Sequence, residues 1–523
     1  QGGGNITVRS LGQTETYNAS QVRKIVAYGG KGNDAIYVGS AVTALLDFDG
    51  GLGNDSYMIL GGAAGSSVRG GAGKDEFVSG SRSGLVFSGG DGNDRFIGGD
   101  GADIIDMGTG ENQIFGGGGN DNIRLNGSLD SVEAGDGDDL ITLSLAGFAK
   151  VDGGAGNDRL VLDNFTSSAP LQFNDHQLVV TSTGGVRTVN FNDSMERIVL
   201  NDAATQTVLK TGFTDTNAPA SWGKTDLTLD VAGLLDVSTQ SAKLVAPDAT
   251  FSISAGGIRG TLNTELAELT VINRGTAGAV ADYDIVLSEA DDSRIVSSGR
   301  VNGGLYAAKG QINIALVAQE AELTLSSGVI ATGAGGNLTI RADDLDFVSG
   351  NNQVYGSGAL VIRSMHDAQN YRIGGAGQSR FGYDYSAGVD SGYMELGSRD
   401  MSALANGFSS VTIGHRTSGG IMRIGDLEDA ALGVEFVFSA KLDDVTTFLA
   451  DRMEIVGDVQ ASQLLTLNAR GIKTEDMQWF KYADMGLNNL YGNAIIASEK
   501  MIAERPRAIA GFLRALNRSI KEV

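Results

Sequence analysis

Ten short turns in the first third of the chain place a carboxylate or amide side chain two residues before an apolar one. They fit a nine-residue repeat, G-G-x-G-x-D-x-U-x, in which U is a large apolar residue. Clear copies begin at Gly29, Gly50, Gly70, Gly89, Gly98, Gly116 and Gly153, another begins at Ala134, and weaker ones begin at Met107 and Leu125. The sixth positions are Asp34, Asp55, Asp75, Asp94, Asp103, Asn112, Asp121, Asp130, Asp139 and Asp158. All ten eighth positions are apolar, namely Ile36, Tyr57, Phe77, Phe96, Ile105, Ile114, Ile123, Val132, Ile141 and Leu160.

This spacing predicts a parallel β-roll that binds metal. Six turn residues and three strand residues form half a coil, so one full coil takes about 18 residues. The apolar side chains then point inward, while the aspartates stack from coil to coil in columns. A column of carboxylates repels itself unless a cation neutralises it. Ca²⁺ fits this role because it takes six to eight oxygen ligands in flexible geometry.

The starting positions divide the turns into two columns. Copies at 29, 50, 70, 89, 107 and 125 fall on one side of the roll, and those at 98, 116, 134 and 153 fall on the other. Ions between same-side neighbours would number roughly seven. The predicted metal-binding residues at the sixth position are Asp34, Asp55, Asp75, Asp94, Asp103, Asn112, Asp121, Asp139 and Asp158. The predicted glycines of these turns are Gly30, Gly32, Gly51, Gly53, Gly71, Gly73, Gly90, Gly92, Gly99, Gly101, Gly117, Gly119, Gly135, Gly137, Gly154 and Gly156. The third-position acids Asp91, Asp100 and Asp136 are equally compatible with a ligand and with a solvated turn.

Charge and composition favour the same interpretation. Residues 29–163 contain 21 acidic and 8 basic side chains, and the whole chain has a net charge of −24. Such acidity argues against nucleic acid or anionic lipid as a partner. There is no cysteine, so neither a disulfide nor a cysteine-based zinc site can form, and the three histidines are far apart in sequence. No apolar run approaches the length of a transmembrane helix. The chain starts at Gln1, so we expect a processed product or a fragment.

The repeats of residues 29–163 resemble the RTX (repeats-in-toxin) family. That resemblance implies a protein that is secreted unfolded, often by a type I system, and that folds on calcium outside the cell. RTX repeats accompany several activities, including pore-forming toxins, proteases, lipases, epimerases, S-layer proteins and giant adhesins. The resemblance therefore implies calcium and an extracellular setting, but not a particular activity.

The remaining sequence predicts an all-β protein with an α-helical C-terminal tail. We expect a lead-in strand or cap over 1–28, the β-roll over 29–163 and a β connector over 164–223, with a hairpin turning at Ser182-Thr183-Gly184-Gly185. Residues 224–470 contain short alternating runs typical of a parallel β-helix or a β-sandwich, and their glycine-rich turns favour the β-helix. These runs include 227–229, 251–253, 312–314, 338–340, 360–362, 411–413 and 453–455.

Two further resemblances concern the C-terminal half. The segment 403–414 is similar to repeats of giant bacterial surface proteins of the filamentous-haemagglutinin type. The last residues, from Tyr491-Gly492-Asn493 to Arg505-Pro506, resemble part of the nitrate/taurine-type solute-binding proteins of ABC transporters. The apolar spacing from Ile509 to Ile520 predicts an α-helical tail over 471–523.

Three functions fit the sequence. The first is a structural or adhesive protein of a bacterial cell surface or matrix, secreted and calcium-dependent, which could also self-associate into a fibre or layer. The second is a polysaccharide epimerase or lyase on the β-helix, with the candidate residues His366, Tyr383, Asp384, Tyr385 and His415. The third is a fragment of a pore-forming toxin. We favour the first and expect no catalytic residues or organic cofactor.

Overall fold

The computed structural model describes about three quarters of the chain. The described residues are 4–10, 12–144, 147–169, 171–174, 176–182, 184–211, 224–238, 244–290, 292–297, 303–318, 321–348, 350–365, 370–373, 393–405, 407–414, 422–424, 427–429, 436–438, 477–480 and 495–498. Strand accounts for 61% of the protein and helix for 3%, and the parallel β-solenoid has about 14 turns. The all-β solenoid predicted from the sequence is therefore confirmed.

The chain forms two compact units. The first comprises residues 1–260, 265–267 and 276–278, and the second comprises 261–264, 268–275 and 279–523. The first unit begins with an antiparallel pair, β1 (Asn5–Ser10) and β2 (Gln13–Asn18), and a 3₁₀ turn at Ala19–Gln21. The domain boundaries at 163/164, 223/224 and 470/471 stay predictions from the sequence.

The roll follows as fifteen short strands. They are β3 (Lys24–Lys31), β4 (Ala35–Val38), β5 (Leu45–Leu52), β6 (Ser56–Ile59), β7 (Ser67–Ala72), β8 (Glu76–Ser79), β9 (Val86–Asp91), β10 (Arg95–Ile97), β11 (Ile104–Thr109), β12 (Gln113–Gly118), β13 (Asn122–Leu125), β14 (Leu129–Asp136), β15 (Leu140–Leu143), β16 (Gly147–Ala155) and β17 (Arg159–Phe165). Odd-numbered strands pair in parallel with each other from β3 to β17, as do even-numbered strands from β4 to β16. Two parallel sheets therefore face each other across the roll.

The predicted eighth-position residues form the thin core between the sheets. Nine of the ten are buried, and Ile36 in the first coil is half-buried. Aromatic rings fill part of this core: Tyr57 stacks on Phe77 with ring centroids 4.9 Å apart, and Phe87 packs on Phe96 at 4.6 Å. This apolar stack fixes the register that aligns the turns.

The connector adds further strands to the first unit. Its strands are β18 (Leu171–Asn174), β19 (Gln177–Ser182), β20 (Gly185–Asn190), β21 (Arg197–Asp202) and β22 (Gln206–Thr211), and they are followed by β23 (Asp226–Asp236) and β24 (Leu244–Arg259). Strands β19 and β20 form the predicted hairpin, and β20 also extends the even-numbered sheet beyond β16. Strand β21 extends the odd-numbered sheet beyond β17, in parallel register.

The second unit contains a three-stranded coil. Its first strands are β25 (Leu262–Asn273), β26 (Ile285–Glu289), β27 (Ser293–Ile295), β28 (Gly304–Ala307), β29 (Ile312–Leu316), β30 (Glu322–Leu325), β31 (Val329–Thr332), β32 (Leu338–Arg341), β33 (Asp344–Phe347), β34 (Val354–Tyr355) and β35 (Ala359–Arg363), with a 3₁₀ turn at Val280–Tyr283. From β26 onwards each strand pairs in parallel with the third strand after it, as far as β35. The segment is a parallel β-helix, and the β-sandwich alternative is wrong.

The last described elements are short. They are β36 (Asn370–Ile373), β37 (Tyr393–Leu396), α1 (Ser398–Ala403), β38 (Ser410–Ile413), β39 (Met422–Ile424), β40 (Leu427–Asp429), β41 (Phe436–Phe438), β42 (Met477–Phe480) and β43 (Ile495–Ser498). Strands β42 and β43 pair antiparallel, so the α-helical prediction is wrong for these eight residues. The remainder of that predicted tail, and the run at 453–455, lie outside the described residues.

Candidate metal centre

The turns on one side of the roll are joined by a regular chain of hydrogen bonds. The backbone N–H of Asp34 donates to Oδ1 of Asp55 at 2.7 Å, and the N–H of Asp55 donates to Oδ1 of Asp75 at 2.7 Å. The same bond links Asp75 to Asp94 at 2.8 Å and Asp94 to Asn112 at 2.9 Å. We call this set, which ends with Asp130, the first column. Its members are those that the spacing of the repeats predicts.

The second column lies on the opposite side. The N–H of Asp103 donates to Oδ1 of Asp121 at 2.7 Å, that of Asp121 to Asp139 at 2.7 Å, and that of Asp139 to Asp158 at 2.9 Å. The earlier turns on this side lack the aspartate, and there the N–H of Leu46 donates to the hydroxyl of Ser66. The alternation of sides every nine residues follows the predicted assignment.

Eight of these aspartates share an unusual feature at their second oxygen. Oδ1 accepts a hydrogen bond in seven of the eight, but Oδ2 is buried and has no hydrogen-bond partner in Asp34, Asp55, Asp75, Asp94, Asp103, Asp121, Asp139 and Asp158. An unpaired buried carboxylate oxygen carries a large desolvation cost. Such an atom repeated along both columns indicates that a cation belongs beside it.

The orphaned oxygens point toward the next turn. A Cβ placed on Gly50 would collide with Oδ2 of Asp55 and would lie 2.6 Å from the carbonyl oxygen of Gly70 in the following coil. The same pair of atoms, a carboxylate oxygen and the carbonyl oxygen of the next turn, surrounds Gly29 and Gly116. Carboxylates and turn carbonyls are the oxygen ligands that Ca²⁺ takes, so the residues present fit this ion.

Fourteen of the sixteen predicted glycines have the backbone conformation that this turn requires. Their φ values lie between 94° and 145°, a region that favours glycine. Gly99 and Gly101 do not share it, so the turn that leads to Asp103 is built differently. Gly108 and Gly110 do adopt positive φ, which shows that the weak copy at Met107 keeps the conformation of the clear ones.

Burial raises the pKa of six of these carboxyl groups, which makes them difficult to ionise without a counter-ion. It raises the pKa of Asp94 and Asp158 to about 6, that of Asp103 to about 7 and that of Asp121 to about 8. Coulombic repulsion from Asp103 and Asp139 adds to the shift at Asp121. The two columns therefore hold charges that the metal-free roll disfavours.

The last turn of the first column is different, because protein groups satisfy its carboxylate. Oδ2 of Asp130 accepts the N–H of Gly127 at 2.9 Å, and Oδ1 accepts the side chain of Asn112 at 3.1 Å. The fully buried guanidinium of Arg187 enters here and donates to the carbonyl oxygen of Ser144 at 2.8 Å. It also reaches the carbonyl oxygens of Gly127 and Leu125 at 3.4 and 3.5 Å. A cation of the protein itself thus stands among the carbonyls of this turn.

Sequence reasoning missed the role of Arg187 and of Glu196, whose Oε2 accepts the N–H of Asp158 at 2.7 Å. Glu196 had a recognisable signal, since it precedes the buried Ile198 by two residues, as each sixth-position aspartate precedes its apolar partner. Arg187 had none, because an arginine in a hairpin strand is ordinarily exposed.

Other groups do not form a competing site among the described residues. Within those ranges no three His, Asp or Glu side chains converge. No described helix is long and apolar enough to cross a membrane. The residues considered for catalysis, His366, Tyr383, Asp384, Tyr385 and His415, lie outside the described residues.

Comparison with known families agrees with this geometry. The family model of the RTX calcium-binding nonapeptide repeat matches residues 86–114 and 108–141. A second family model, described as NMT1/THI5 like, matches residues 432–523. No curated protein matches the chain. The chain therefore carries RTX calcium-binding repeats on a parallel β-solenoid, and it ends in a region similar to the NMT1/THI5-like solute-binding proteins.

Proposed function

We propose that this chain is a calcium-dependent extracellular protein with a structural or adhesive role at a bacterial cell surface or in its matrix. Its roll would fold when it binds calcium after secretion. The observation that carries the proposal is the row of buried Oδ2 atoms that have no hydrogen-bond partner. Those of Asp34, Asp55, Asp94 and Asp121 also lie near the carbonyl oxygen of the following turn.

Seven intervals between same-side turns have an aspartate with a buried, unpartnered Oδ2 before them and a sixth-position residue after them. They are Asp34/Asp55, Asp55/Asp75, Asp75/Asp94, Asp94/Asn112, Asp103/Asp121, Asp121/Asp139 and Asp139/Asp158. The Asn112/Asp130 interval is left out because hydrogen bonds already satisfy both oxygens of Asp130. Seven divalent ions bring +14, which nearly balances the net charge of −13 over residues 29–163.

The calcium affinity that is typical of such modules supports an extracellular setting. Extracellular calcium modules bind at about 10⁻⁴ to 10⁻³ M, far above the calcium available in a cytosol. Each site held at ten times its Kd would add about 1.4 kcal/mol to the stability of the folded roll. Seven such sites would rival the stability of an ordinary domain, about 5–15 kcal/mol. The roll would therefore stay unfolded inside the cell and fold outside it.

Circular dichroism and equilibrium dialysis of the full chain test this proposal. We expect the β-sheet signal of the roll to appear in millimolar calcium, to disappear in chelator, and to be accompanied by about seven bound ions. Magnesium serves as the control, because its demand for near-ideal octahedral geometry should leave the signal low. A spectrum that is the same in calcium and in chelator would contradict calcium-dependent folding.

The structural or adhesive role rests on the solenoid, which presents long parallel sheet faces rather than a built catalytic centre in the described residues. Sedimentation of the calcium-loaded chain, together with binding to cells and to surface polysaccharides, measures this role. We expect retention on one of these surfaces or concentration-dependent assembly, lost in chelator. Turnover of a uronate polymer by the loaded chain would instead establish the enzyme alternative.

A further inference from the structure

We propose that the second column continues for one turn beyond the nonapeptide repeats, as an eighth calcium site. It lies between the last turn, Gly153 to Asp158, and the segment 192–196 of the connector. The proposal rests on calcium binding by the roll, because it assigns one more interval of the same chemistry. The segment itself, Asn192-Asp193-Ser194-Met195-Glu196, contains no glycine and does not match the repeat.

The backbone register places Glu196 where the next aspartate would stand. The N–H of Asp139 donates to Oδ1 of Asp158 at 2.9 Å, and one coil later the N–H of Asp158 donates to Oε2 of Glu196 at 2.7 Å. The neighbouring strand bonds continue in step, since the N–H of Arg197 donates to the carbonyl oxygen of Asp158 at 3.0 Å. Glu196 therefore occupies the sixth position of a further turn, 38 residues after the last aspartate.

The pairing of a buried carboxylate oxygen with the carbonyl oxygen of the next turn is also repeated. Oδ2 of Asp158 is buried and has no hydrogen-bond partner. A Cβ on Gly153 would lie 2.5 Å from this oxygen and 2.5 Å from the carbonyl oxygen of Ser194. At Gly116, inside the repeats, the corresponding atoms are Oδ2 of Asp121 and the carbonyl oxygen of Ala134. The connector thus supplies both parts of the missing turn, a carbonyl and a carboxylate.

Side-chain contacts hold the connector segment in place. The hydroxyl oxygen of Ser194 accepts the N–H of Gly153 at 2.9 Å and that of Gly154 at 3.1 Å. It also lies 2.7 Å from Oδ1 of Asp152. Because these bonds fix Ser194 against the last turn, its carbonyl oxygen lies beside Oδ2 of Asp158.

An ion at this position would tie the connector to the roll. Residues 192–196 would become ordered by the same calcium that orders the last repeat. Calcium would then act beyond the repeats, on a segment that the repeat motif does not identify. The site would be filled with two protein carboxylates, the Ser194 carbonyl and water.

Glu196→Gln in the full chain tests the site with calcium alone. Glutamine keeps an oxygen that can accept the N–H of Asp158, so the fold is retained while the charge is lost. The matched control is Glu133→Gln, which removes a carboxylate from an exposed position on β14. Equilibrium dialysis counts the bound ions, and hydrogen exchange follows the amides of 192–197.

We expect Glu196→Gln to bind one calcium fewer than the wild-type chain and Glu133→Gln to bind the same number. In saturating calcium, the amides of 192–197 should exchange roughly tenfold faster in Glu196→Gln than in the wild type and in Glu133→Gln. Equal ion counts and equal protection in all three proteins would overturn the eighth site while leaving calcium binding by the roll intact. A wild-type chain that binds no calcium would overturn the proposed function itself.

Discussion

Asp121 is the position where calcium binding can be tested most sharply, because it borders two proposed intervals. Its Oδ1 accepts the N–H of Asp103, and its buried Oδ2 faces the turn of Ala134 and Asp139. Asp121→Asn keeps an oxygen for the N–H of Asp103 but removes the charge from both intervals. With calcium at ten times Kd, each lost site costs about 1.4 kcal/mol, so the loaded chain should lose about 1.4 to 3 kcal/mol.

The assay is urea unfolding of the roll at several calcium concentrations. The slope of the unfolding free energy against RT ln[Ca²⁺] counts the ions released, and it should fall by one to two ions in Asp121→Asn. At low calcium the loss of stability shrinks, because the variant removes a buried carboxyl group whose pKa is raised to about 8. The variant is therefore expected to be less stable than the wild type in saturating calcium, and to lose less unfolding free energy than the wild type as calcium is lowered.

Asp130→Asn is the matched control. Asp130 occupies the same sixth position, but N–H donors from Gly127 and Asn112 already satisfy its oxygens. This variant should lower the unfolding free energy by a similar amount at every calcium concentration, with an unchanged slope. An unchanged slope in Asp121→Asn, or an equal fall in both variants, would refute the assignment of calcium to the orphaned oxygens.

Three further measurements follow from the same geometry. Since burial raises the pKa of Asp103 to about 7 and of Asp121 to about 8, the folded metal-free roll binds more protons than the unfolded chain. In chelator the β-sheet signal of the roll should therefore weaken as pH rises from about 4 to about 8, and calcium affinity should rise over pH 6 to 8. Circular dichroism and equilibrium dialysis across this pH range measure the two effects. The Cβ of Gly30→Ala would meet no atom within 4 Å, so this variant should lose only the strain of positive φ, about 1–2 kcal/mol of stability. The Cβ of Gly51→Ala would also collide with the carbonyl oxygen of Gly30, so this variant should lose clearly more. Equal losses of stability in thermal unfolding would contradict the close stacking of the turns. Arg187→Met should destabilise the roll by about 3–5 kcal/mol at any calcium concentration, because the carbonyl oxygens around the guanidinium lose their hydrogen-bond donor. If high calcium restored the lost stability, an ion would be able to replace the side chain, and the prediction would be wrong.

The repeat register made most of the roll predictable. A fixed number of residues per half-coil determines which aspartates share a side, so the two columns follow from the starting positions alone. The turn at Gly98 shows the limit, since Gly99 and Gly101 match the motif but lack its backbone conformation. There the preceding coils have lost the motif on that side, and the neighbour of Gly99 is Ser81 rather than another glycine turn.

The β-helix of the second unit was predictable as a class but not in its register. Its coils differ in length: Ile285 pairs with Ile312, Ile312 with Leu338, and Leu338 with Leu360. These steps are 27, 26 and 22 residues, so no period appears in the sequence. The alternating apolar residues specify strands, and the buried core between three sheets, rather than a turn motif, selects their partners.

The two columns end in different ways, and each end meets the same electrostatic requirement. Carbonyl oxygens that converge between stacked turns need a positive charge, and Arg187 brings one covalently to the last turn of the first column. At the end of the second column the connector brings a carboxylate, Glu196, which adds negative charge beside the orphaned oxygen of Asp158. Two carboxylates placed side by side favour a cation between them. The first end is therefore held by a cation of the protein itself, whereas the second end is where the proposed eighth calcium ion would bind.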